Sequence, residues 1–481
     1  MPLAPLPFDL SGISLDPTLA LTEQLYQALR QRILDGRLTS GSRLPASREL
    51  ACRLGVSRNT VLRALDQLYA EGFVHARVGD GTYISQLPQS AVDRVEATAP
   101  AASLQRLDEH HLPMPPSGAP RAFRLGVPAI DLFPFDTWAR LQARFWRRAP
   151  LAQLGYGDPA GDATLRELIA AYLRRGRGLT CDASQIVVTC GAQQAISLCA
   201  QLLVNPGDTV AVENPGYPAA AHCFANAGAD LAGIEVDGQG LQVEALQRLN
   251  DCRLVYLTPS HQYPSGVTLS LPRRLALLEW AQQQQGWILE DDYDGEYRYS
   301  GTPLAPLAAL DQRQRVIYIG TFCKITFPAL RLGYLVLPPA LAERFAQRRA
   351  LDMRHSEIST QSVMAEFIAT GHFQRHIRRM REAARARRDA LLASWPNDLL
   401  GCLPMPEVEA GLHVSVAVES LARERELVDQ ARCAGVEINP LSSYCLKSSP
   451  ARAGLVLGFA GVPPAQIREA IERLRRAWQR V

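Results

Sequence analysis

Six short apolar runs alternate with helical stretches between about residues 121 and 340, and this alternation constrains the fold more than any other feature of the chain. The runs lie at residues 185–190, 209–213, 253–258, 286–290, 315–320 and 332–337. Strands that are interleaved with helices form a largely parallel sheet with right-handed crossovers. The sequence therefore predicts an α/β domain whose ligands bind at the strand ends.

The other parts of the chain differ from this region in pattern. With 481 residues the chain is too long for one core. Residues 22–85 have a compact helical pattern after a lead-in at 1–21, and residues 86–120, which contain six prolines, are typical of a flexible linker. Residues 341–481 are mostly helical and rich in arginine, which indicates a smaller C-terminal domain after the large domain at 121–340.

Bulk composition excludes some classes of protein and leaves others open. The net charge of +3 is too small to indicate a nucleic-acid or membrane partner by itself. The ten cysteines form no Cys-x-x-Cys pair, which argues against a disulfide framework and a thiolate zinc site. No run approaches the roughly 18 apolar residues of a membrane span. We expect a cytoplasmic protein without a metal site and without a membrane partner.

The first segment has the pattern of a helix-turn-helix. A helix is predicted at 22–36. It is followed by the two helices of the motif, one at 47–54 and the second from about 57 to 71, with a turn at Gly55 between them. Ser57 can cap the second helix, so Arg58, Asn59 and Thr60 project from its first turn. These are residue types that read base edges. The spacing alone would also suit a simple helical hairpin.

A hairpin follows, with Gly79 and Gly81 in its turn and Thr82 after it, which would be the wing of a winged helix. The motifs at 44–51, 54–61, 71–73 and 79–83 together resemble the GntR winged-helix family. That resemblance implies DNA contacts for Arg48, Ser57 and Arg58. We take Arg43, Ser47, Asn59, Thr60 and the wing residues Gly79, Gly81 and Thr82 as further DNA-binding candidates.

Lysine is scarce, because only two of the 51 basic residues are lysines. Lys447 lies in a Ser/Pro-rich stretch and reads as a solvated loop residue. Lys324 follows the apolar run at 316–319 and so stands at a strand end. Arginine keeps its proton and cannot form a Schiff base, whereas burial can tune a lysine to attack a carbonyl. If the chain uses a side-chain amine to form a Schiff base, we therefore expect that amine to be Lys324.

Other strand ends carry residues that suit a pyridoxal ring. The turn of Gly191, Ala192 and Gln193 places backbone amides at a helix N-terminus, where a phosphate binds. Asp291 and Tyr293 end another strand, and a carboxylate there would pair with the ring nitrogen. Tyr217 is available for stacking and Arg331 for a bidentate phosphate contact, with Thr321 as a further candidate.

The order of these signals resembles a fold-type I aminotransferase. The motifs at 156–161, 258–266 and 290–294 resemble one branch in particular, the MocR/GabR regulators, which join a GntR reader to an aminotransferase-like domain. The resemblance implies pyridoxal 5′-phosphate as cofactor, bound as a Schiff base on Lys324, with Asp291 and Tyr293 on the ring. It also implies a homodimer in which Tyr156 reaches the neighbouring subunit's phosphate.

Three positions depart from the aminotransferase pattern. Tyr263 replaces the usual asparagine before the Pro-x-Gly turn, and Cys323 replaces the usual serine before the lysine. Val456 replaces the arginine that clamps a substrate carboxylate, and Arg452, in another register, is a weak alternative for that clamp. We therefore predict a transcriptional regulator that binds operator DNA and responds to pyridoxal phosphate or an amino compound. An active aminotransferase with an appended DNA-binding domain, and a DNA-binding scaffold with an empty pocket, remain as alternatives.

Overall fold

A computed structural model of the chain describes residues 10, 13–86, 118–249, 251–301, 304–397, 402 and 404–479. The chain divides into two compact units, Met1–Glu109 and His110–Val481. Most of the predicted linker and part of the predicted lead-in lie outside the described residues. No described helix has both the length and the apolar character needed to cross a bilayer.

The first unit is a three-helix domain with a hairpin. Its elements are α1 (Leu21–Leu34), α2 (Ser47–Leu54), α3 (Arg58–Ala70), β1 (Val74–Arg77) and β2 (Gly81–Ile84). The two strands pair antiparallel from Val74 opposite Ile84 to Arg77 opposite Gly81. Leu29 of α1 and Leu68 of α3 are fully buried together with Ile84, because the apolar residues of each helix recur along one face. The hairpin therefore closes the same core as the helices.

The second unit contains the remaining helices and strands. Its helices are α4 (Phe135–Arg148), α5 (Ala163–Gly176), α6 (Ala192–Leu203), α7 (Pro218–Asn226), α8 (Val243–Leu246), α9 (Leu271–Gln283), α10 (Leu307–Leu310), α11 (Pro339–Met353), α12 (Ile358–Ala369), α13 (His372–Ser394), α14 (Leu421–Cys433) and α15 (Pro464–Trp478). Its strands are β3 (Ile186–Thr189), β4 (Thr209–Asn214), β5 (Asp230–Asp237), β6 (Gly240–Leu241), β7 (Cys252–Leu257), β8 (Trp287–Asp292), β9 (Val316–Thr321), β10 (Gly333–Val336), β11 (His413–Ala417), β12 (Asn439–Pro440) and β13 (Gly454–Gly458).

Eight of these strands form a mixed sheet in the order β3-β10-β9-β8-β7-β4-β5-β6. The five strands from β9 to β5 are parallel, whereas β10 runs antiparallel to both of its neighbours. Each of the six apolar runs in the sequence is a strand of this sheet, so the predicted α/β class is confirmed. Strand β5 was not predicted, because only two of its eight residues are buried and its pattern is weakly apolar.

Both faces of the sheet are covered, as the continuous apolar strands require. Along β7, Leu254 and Tyr256 pack into one cluster with α6 and α7, while Val255 and Leu257 pack into another with α9. A second, three-stranded antiparallel sheet in the order β11-β13-β12 lies in the C-terminal part. Its buried residues share one cluster with α13, α14 and α15.

Candidate cofactor and DNA sites

The carboxyl ends of the parallel strands bring the predicted cofactor residues to one edge of the large sheet. Asp291 is the penultimate residue of strand β8, and Lys324 follows strand β9. Tyr217 comes between β4 and α7, and Gly191 between β3 and α6. Because parallel strands end at the same edge, residues that are distant in sequence share one site there.

Lys324 is half-buried beside a backbone carbonyl. Its Nζ donates a hydrogen bond to the carbonyl oxygen of Gly126 at 3.0 Å. A Cβ atom on Gly126, whose φ is +73°, would lie 2.7 Å from Nζ, so a larger residue there would displace the amine from this contact. Burial lowers the pKa of the Lys324 amine from its ordinary value of 10.5. A lowered pKa increases the neutral fraction, which is the nucleophilic form.

Asp291 has one satisfied and one unsatisfied oxygen. The hydroxyl of Tyr256 donates to its Oδ2 at 2.8 Å, whereas its buried Oδ1 has no hydrogen-bond partner among the described residues. Burial raises the pKa of this carboxyl to about 7. A buried carboxylate oxygen without a donor is costly. The protonated ring nitrogen of pyridoxal 5′-phosphate is a donor that fits it.

The turn before α6 has the form of a phosphate site. Gly191 has a φ of +80° and begins α6 without a side-chain cap, so the first amides of the helix remain available to an anion. Arg331 donates to the carbonyl of Cys190 at 2.9 Å and reaches within 3.2 Å of the position that a Gly191 Cβ would occupy. The predicted glycine, the helix amides of Ala192 and Gln193, and Arg331 are thus brought together.

Two other candidates make different contacts. The side chain of Gln193 turns toward α7, where it accepts from the Tyr217 hydroxyl at 3.4 Å and donates to the sulfur of Cys223 at 3.0 Å. Its backbone amide is therefore the group left for an anion. The Thr321 Oγ1 accepts from the amide of Cys323 at 3.2 Å, and the Cys323 thiol lies 3.6 Å from the carbonyl of Leu332.

Tyr156 is 89% exposed within the single chain. Its ring lies edge-on to His355 with 6.1 Å between the centroids, and its described contacts do not involve Lys324 or Asp291. The structure of one chain therefore does not bring Tyr156 into the group formed by the other cofactor candidates.

The substrate-clamp position is apolar. Val456 is fully buried in β13, where it pairs with Ser415 and Asn439. The guanidinium of Arg452 donates to the carbonyl of Val236 at 2.6 Å and lies 3.7 Å from Glu235. Arg452 is thus engaged with strand β5.

The DNA-binding candidates other than Arg43 and the wing residues lie at two helix N-termini. The Ser57 hydroxyl caps α3 by accepting from the Thr60 amide at 3.1 Å. Ser47, at the start of α2, accepts from Arg58 Nε at 3.2 Å. Arg48, Arg58 and Asn59 are exposed. The two N-termini therefore form one continuous polar surface.

The wing packs on the segment before α2. The amide of Leu44 donates to the carbonyl of Thr82 at 2.8 Å, and Arg43 lies across Gly81, where a Cβ would be 2.8 Å from its Nε. Arg43 Nη1 is also 3.8 Å from Asp80 Oδ1. Gly79, at a φ of +76°, turns the hairpin. Arg43 is thus held by the wing while the wing tip is exposed.

Some residues of the cofactor site were not predicted from the sequence. Gly126 and Tyr256 contact Lys324 and Asp291, yet each is an unremarkable residue in its own segment. Asp294 and His413 lie with His261 in the one group among the described residues whose ligand atoms could surround a metal, all within 4.8 Å of one another. Their positions in sequence, 261, 294 and 413, give no spacing that indicates this proximity.

Comparisons with known proteins agree with the two-part architecture. Residues 21–84 match the family "Bacterial regulatory proteins, gntR family". Residues 123–474 match "Aminotransferase class I and II". The chain is 38% identical over 468 residues to the probable rhizopine catabolism regulatory protein MocR of Rhizobium meliloti, covering 96% of this chain and 94% of that protein.

Two further proteins match, a regulator over most of the chain and a solved aminotransferase over a smaller part of it. The pyridoxine biosynthesis transcriptional regulator PdxR of Corynebacterium glutamicum is 33% identical over 448 residues, covering 92% of each chain. The solved kynurenine aminotransferase of Pyrococcus horikoshii matches with a TM-score of 0.69 at 27% identity, covering 82% of this chain and 97% of that one. The chain therefore belongs to the GntR family of bacterial regulatory proteins, in its MocR type, which joins a winged helix-turn-helix to a pyridoxal phosphate-dependent aminotransferase class I and II fold.

Proposed function

We propose that this protein is a transcriptional regulator that binds operator DNA through residues 22–85 and binds pyridoxal 5′-phosphate on Lys324. The observation that carries the proposal is the pairing, in one chain, of an exposed helix-turn-helix surface with the half-buried Lys324 amine and an unsatisfied, buried Asp291 oxygen. We assign residues 86–120 to a linker, 121–340 to the cofactor-binding domain and 341–481 to a small C-terminal domain. Because its target is chromosomal DNA, the protein acts in the cytoplasm.

The residues of the pocket divide the work of holding the cofactor. When bound, pyridoxal phosphate supplies an aldehyde for an amine and a ring that withdraws electrons. Lys324 would bind the aldehyde carbon, and Asp291 would keep the ring nitrogen protonated. Tyr217 would stack on the ring and Tyr293 would contact its oxygen. The amides of the 191–193 turn, with Arg331 and Thr321, would hold the phosphate.

The residue at the position of the carboxylate-binding arginine supports a role as an effector sensor and argues against a role as an enzyme. A transaminase must hold the substrate's carboxylate so that the reacting carbon is oriented for proton transfer. Val456 is apolar and buried, and Arg452 is engaged with Val236 and Glu235. We propose that the site binds the cofactor and an amino compound as effectors, with little or no turnover. Steady conversion of an amino donor by the purified protein would support the enzyme instead.

A homodimer is part of the proposal. Several large apolar side chains of the second unit are exposed between the start of α4 and Tyr156: Phe135, Trp146, Leu151 and Leu154. Exposed apolar groups concentrated in one stretch mark an interaction surface. A second copy of the chain would cover them and bring Tyr156 of one copy to the phosphate site of the other.

Footprinting tests the proposal directly. The purified full-length protein is placed on the DNA upstream of its own gene, with and without pyridoxal phosphate. Protection that changes with cofactor supports a regulator that senses it, because a ligand shifts an equilibrium only through different affinities for the two states. Protection that does not respond to cofactor points to an amino compound as effector. Absence of protection, together with turnover of an amino donor, would contradict the proposal.

A further inference from the structure

The hydroxyl of Tyr293 is held by the loop that follows β7. It donates to the carbonyl oxygen of His261 at 3.0 Å and lies 3.0 Å from Nδ1 of the same residue. That Nδ1 is also 2.9 Å from Oδ2 of Asp294. His261 and Asp294 are both buried. The side chains of Tyr293 and Asp294 therefore meet at one nitrogen atom of His261.

The acceptors around Nδ1 of His261 favour one arrangement of hydrogens. A carboxylate oxygen accepts hydrogen bonds, so the 2.9 Å contact with Asp294 is satisfied by the tautomer in which Nδ1 of His261 carries the hydrogen and donates it. The same N–H is directed at the oxygen of Tyr293. The hydroxyl oxygen thus receives a hydrogen bond while its own hydrogen is given to another acceptor. A hydroxyl that accepts one bond becomes a stronger donor in the next.

The imidazole of His261 is fixed in place by the C-terminal part of the unit. Gly411 has a φ of +84°, and a Cβ there would lie 1.9 Å from Cε1 of His261. The His413 ring packs 4.8 Å away, between centroids, and its Nε2 lies 3.1 Å from the carbonyl of Pro264. A ring enclosed in this way cannot rotate without moving the residues before and within β11.

We propose that His261, oriented by Asp294, is a positioning residue that presents the Tyr293 hydroxyl to the ring oxygen of bound pyridoxal phosphate. This inference rests on the proposed function, which assigns Tyr293 to the ring. The ring oxygen would replace the carbonyl of His261 as acceptor of the tyrosine's hydrogen. The imidazole would continue to donate to the hydroxyl oxygen and so strengthen the contact.

A double-mutant cycle separates positioning from simple structural support. In the full-length protein, Tyr293→Phe, His261→Phe and the double variant are titrated with pyridoxal phosphate, and the cofactor's visible absorption band is recorded. A hydrogen bond to a charged group predicts that each single change weakens binding about 10- to 100-fold. Both single changes should shift the band in the same direction. The double variant should match Tyr293→Phe alone, because the two residues act through one contact.

Conservative variants provide the rescue and the control. His261→Asn keeps an N–H close to the place of Nδ1 and should recover most of the affinity. If His261→Phe does not fold, Asp294→Asn takes its place, with Glu296→Gln as control. Glu296 is a partly buried carboxylate that accepts from the Tyr172 hydroxyl at 2.6 Å, and its replacement should leave the band unchanged.

Three results would overturn the inference. They are an unchanged band in the His261 or Asp294 variant, additive losses in the double variant, or a stoichiometric transition metal held by His261, Asp294 and His413. The last would mean that a metal orients the imidazole. If the wild-type protein takes up no pyridoxal phosphate, the proposed function itself fails. If the wild type binds cofactor and the variants do not differ from it, only the role of His261 fails.

Discussion

The two units of the chain place their candidate sites in opposite settings. Arg48, Arg58 and Asn59 are exposed at the N-termini of α2 and α3, where each can meet DNA without help from a distant residue. Asp291 and His261 are buried at the edge of the large sheet and depend on partners from other segments. An exposed motif can therefore be recognised from local sequence, whereas a buried site depends on contacts that only the fold creates.

The setting also decides what a substitution changes. A charged side chain in water keeps its hydration, so replacing it alters binding and leaves the stability of the unit nearly unchanged. A buried polar group is stable only with its partners, and removing one affects folding as well as function. Replacing an exposed arginine of the first unit should thus affect DNA affinity alone, whereas replacing a buried polar residue of the second should affect cofactor binding together with stability.

The largest effect is expected for Lys324→Ala. This change removes the amine that would bind the cofactor covalently, so the visible absorption band should disappear while the fold persists. Lys447→Ala is the matched control, because the chain's other lysine is exposed and its loss should leave the spectrum unchanged. An intact band in Lys324→Ala would show that the cofactor is bound elsewhere.

Asp291→Asn should weaken pyridoxal phosphate binding by about 10- to 100-fold, because a neutral amide cannot form an ion pair with the protonated ring nitrogen. The substitution should also change how the free energy of unfolding of the cofactor-free protein depends on pH. Burial raises the pKa of Asp291 from 3.8 to about 7, so the folded state holds the proton more tightly than the unfolded state. The free energy of unfolding therefore falls as pH rises through this range.

The pH effect is measured as a difference between two proteins. Burial also raises the pKa values of three other carboxyl groups, those of Glu213, Glu290 and Glu296. These groups likewise reduce the free energy of unfolding as pH rises. The wild type should therefore lose more stability than Asp291→Asn between about pH 4 and pH 7. Thermal unfolding of both cofactor-free proteins tests this, and parallel curves would contradict the assigned pKa.

The same contrast explains how far the sequence predicted the molecule. The six strands were predicted because buried strands are continuous apolar runs, and the cap at Ser57 because capping is local. Strand β5 was not predicted, since its residues are mostly half-buried. His261 received no role from its sequence, because its partners lie 33 and 150 residues or more away, at Asp294 and in the 411–413 segment. Sequence patterns indicate which residues share a helix or strand, and they do not indicate which elements meet.

A smaller effect is expected in the first unit for Arg58→Ala. Loss of a base or phosphate contact by this exposed arginine should weaken operator binding by about 1–3 kcal/mol, with a weaker dependence on salt if the contact is to phosphate. Arg63→Ala is the control, because five residues along a helix turn it about 140° away from Arg58. Fluorescence anisotropy at several salt concentrations measures both. Equal losses in the two variants would show that the surface binds DNA only through general charge.

The smallest effect concerns Ser57, which has two roles that two substitutions can separate. Ser57→Ala removes the cap on α3 and should destabilise the first unit by about 1 kcal/mol. Ser57→Asp keeps an oxygen that accepts from the Thr60 amide, so the stability should be preserved. The aspartate also places a negative charge next to DNA phosphates, so operator affinity should fall although the fold is intact. If Ser57→Asp binds DNA as tightly as the wild type, the N-terminus of α3 does not face the phosphates. The exposed DNA-binding site would then have to lie on a different surface of the first unit.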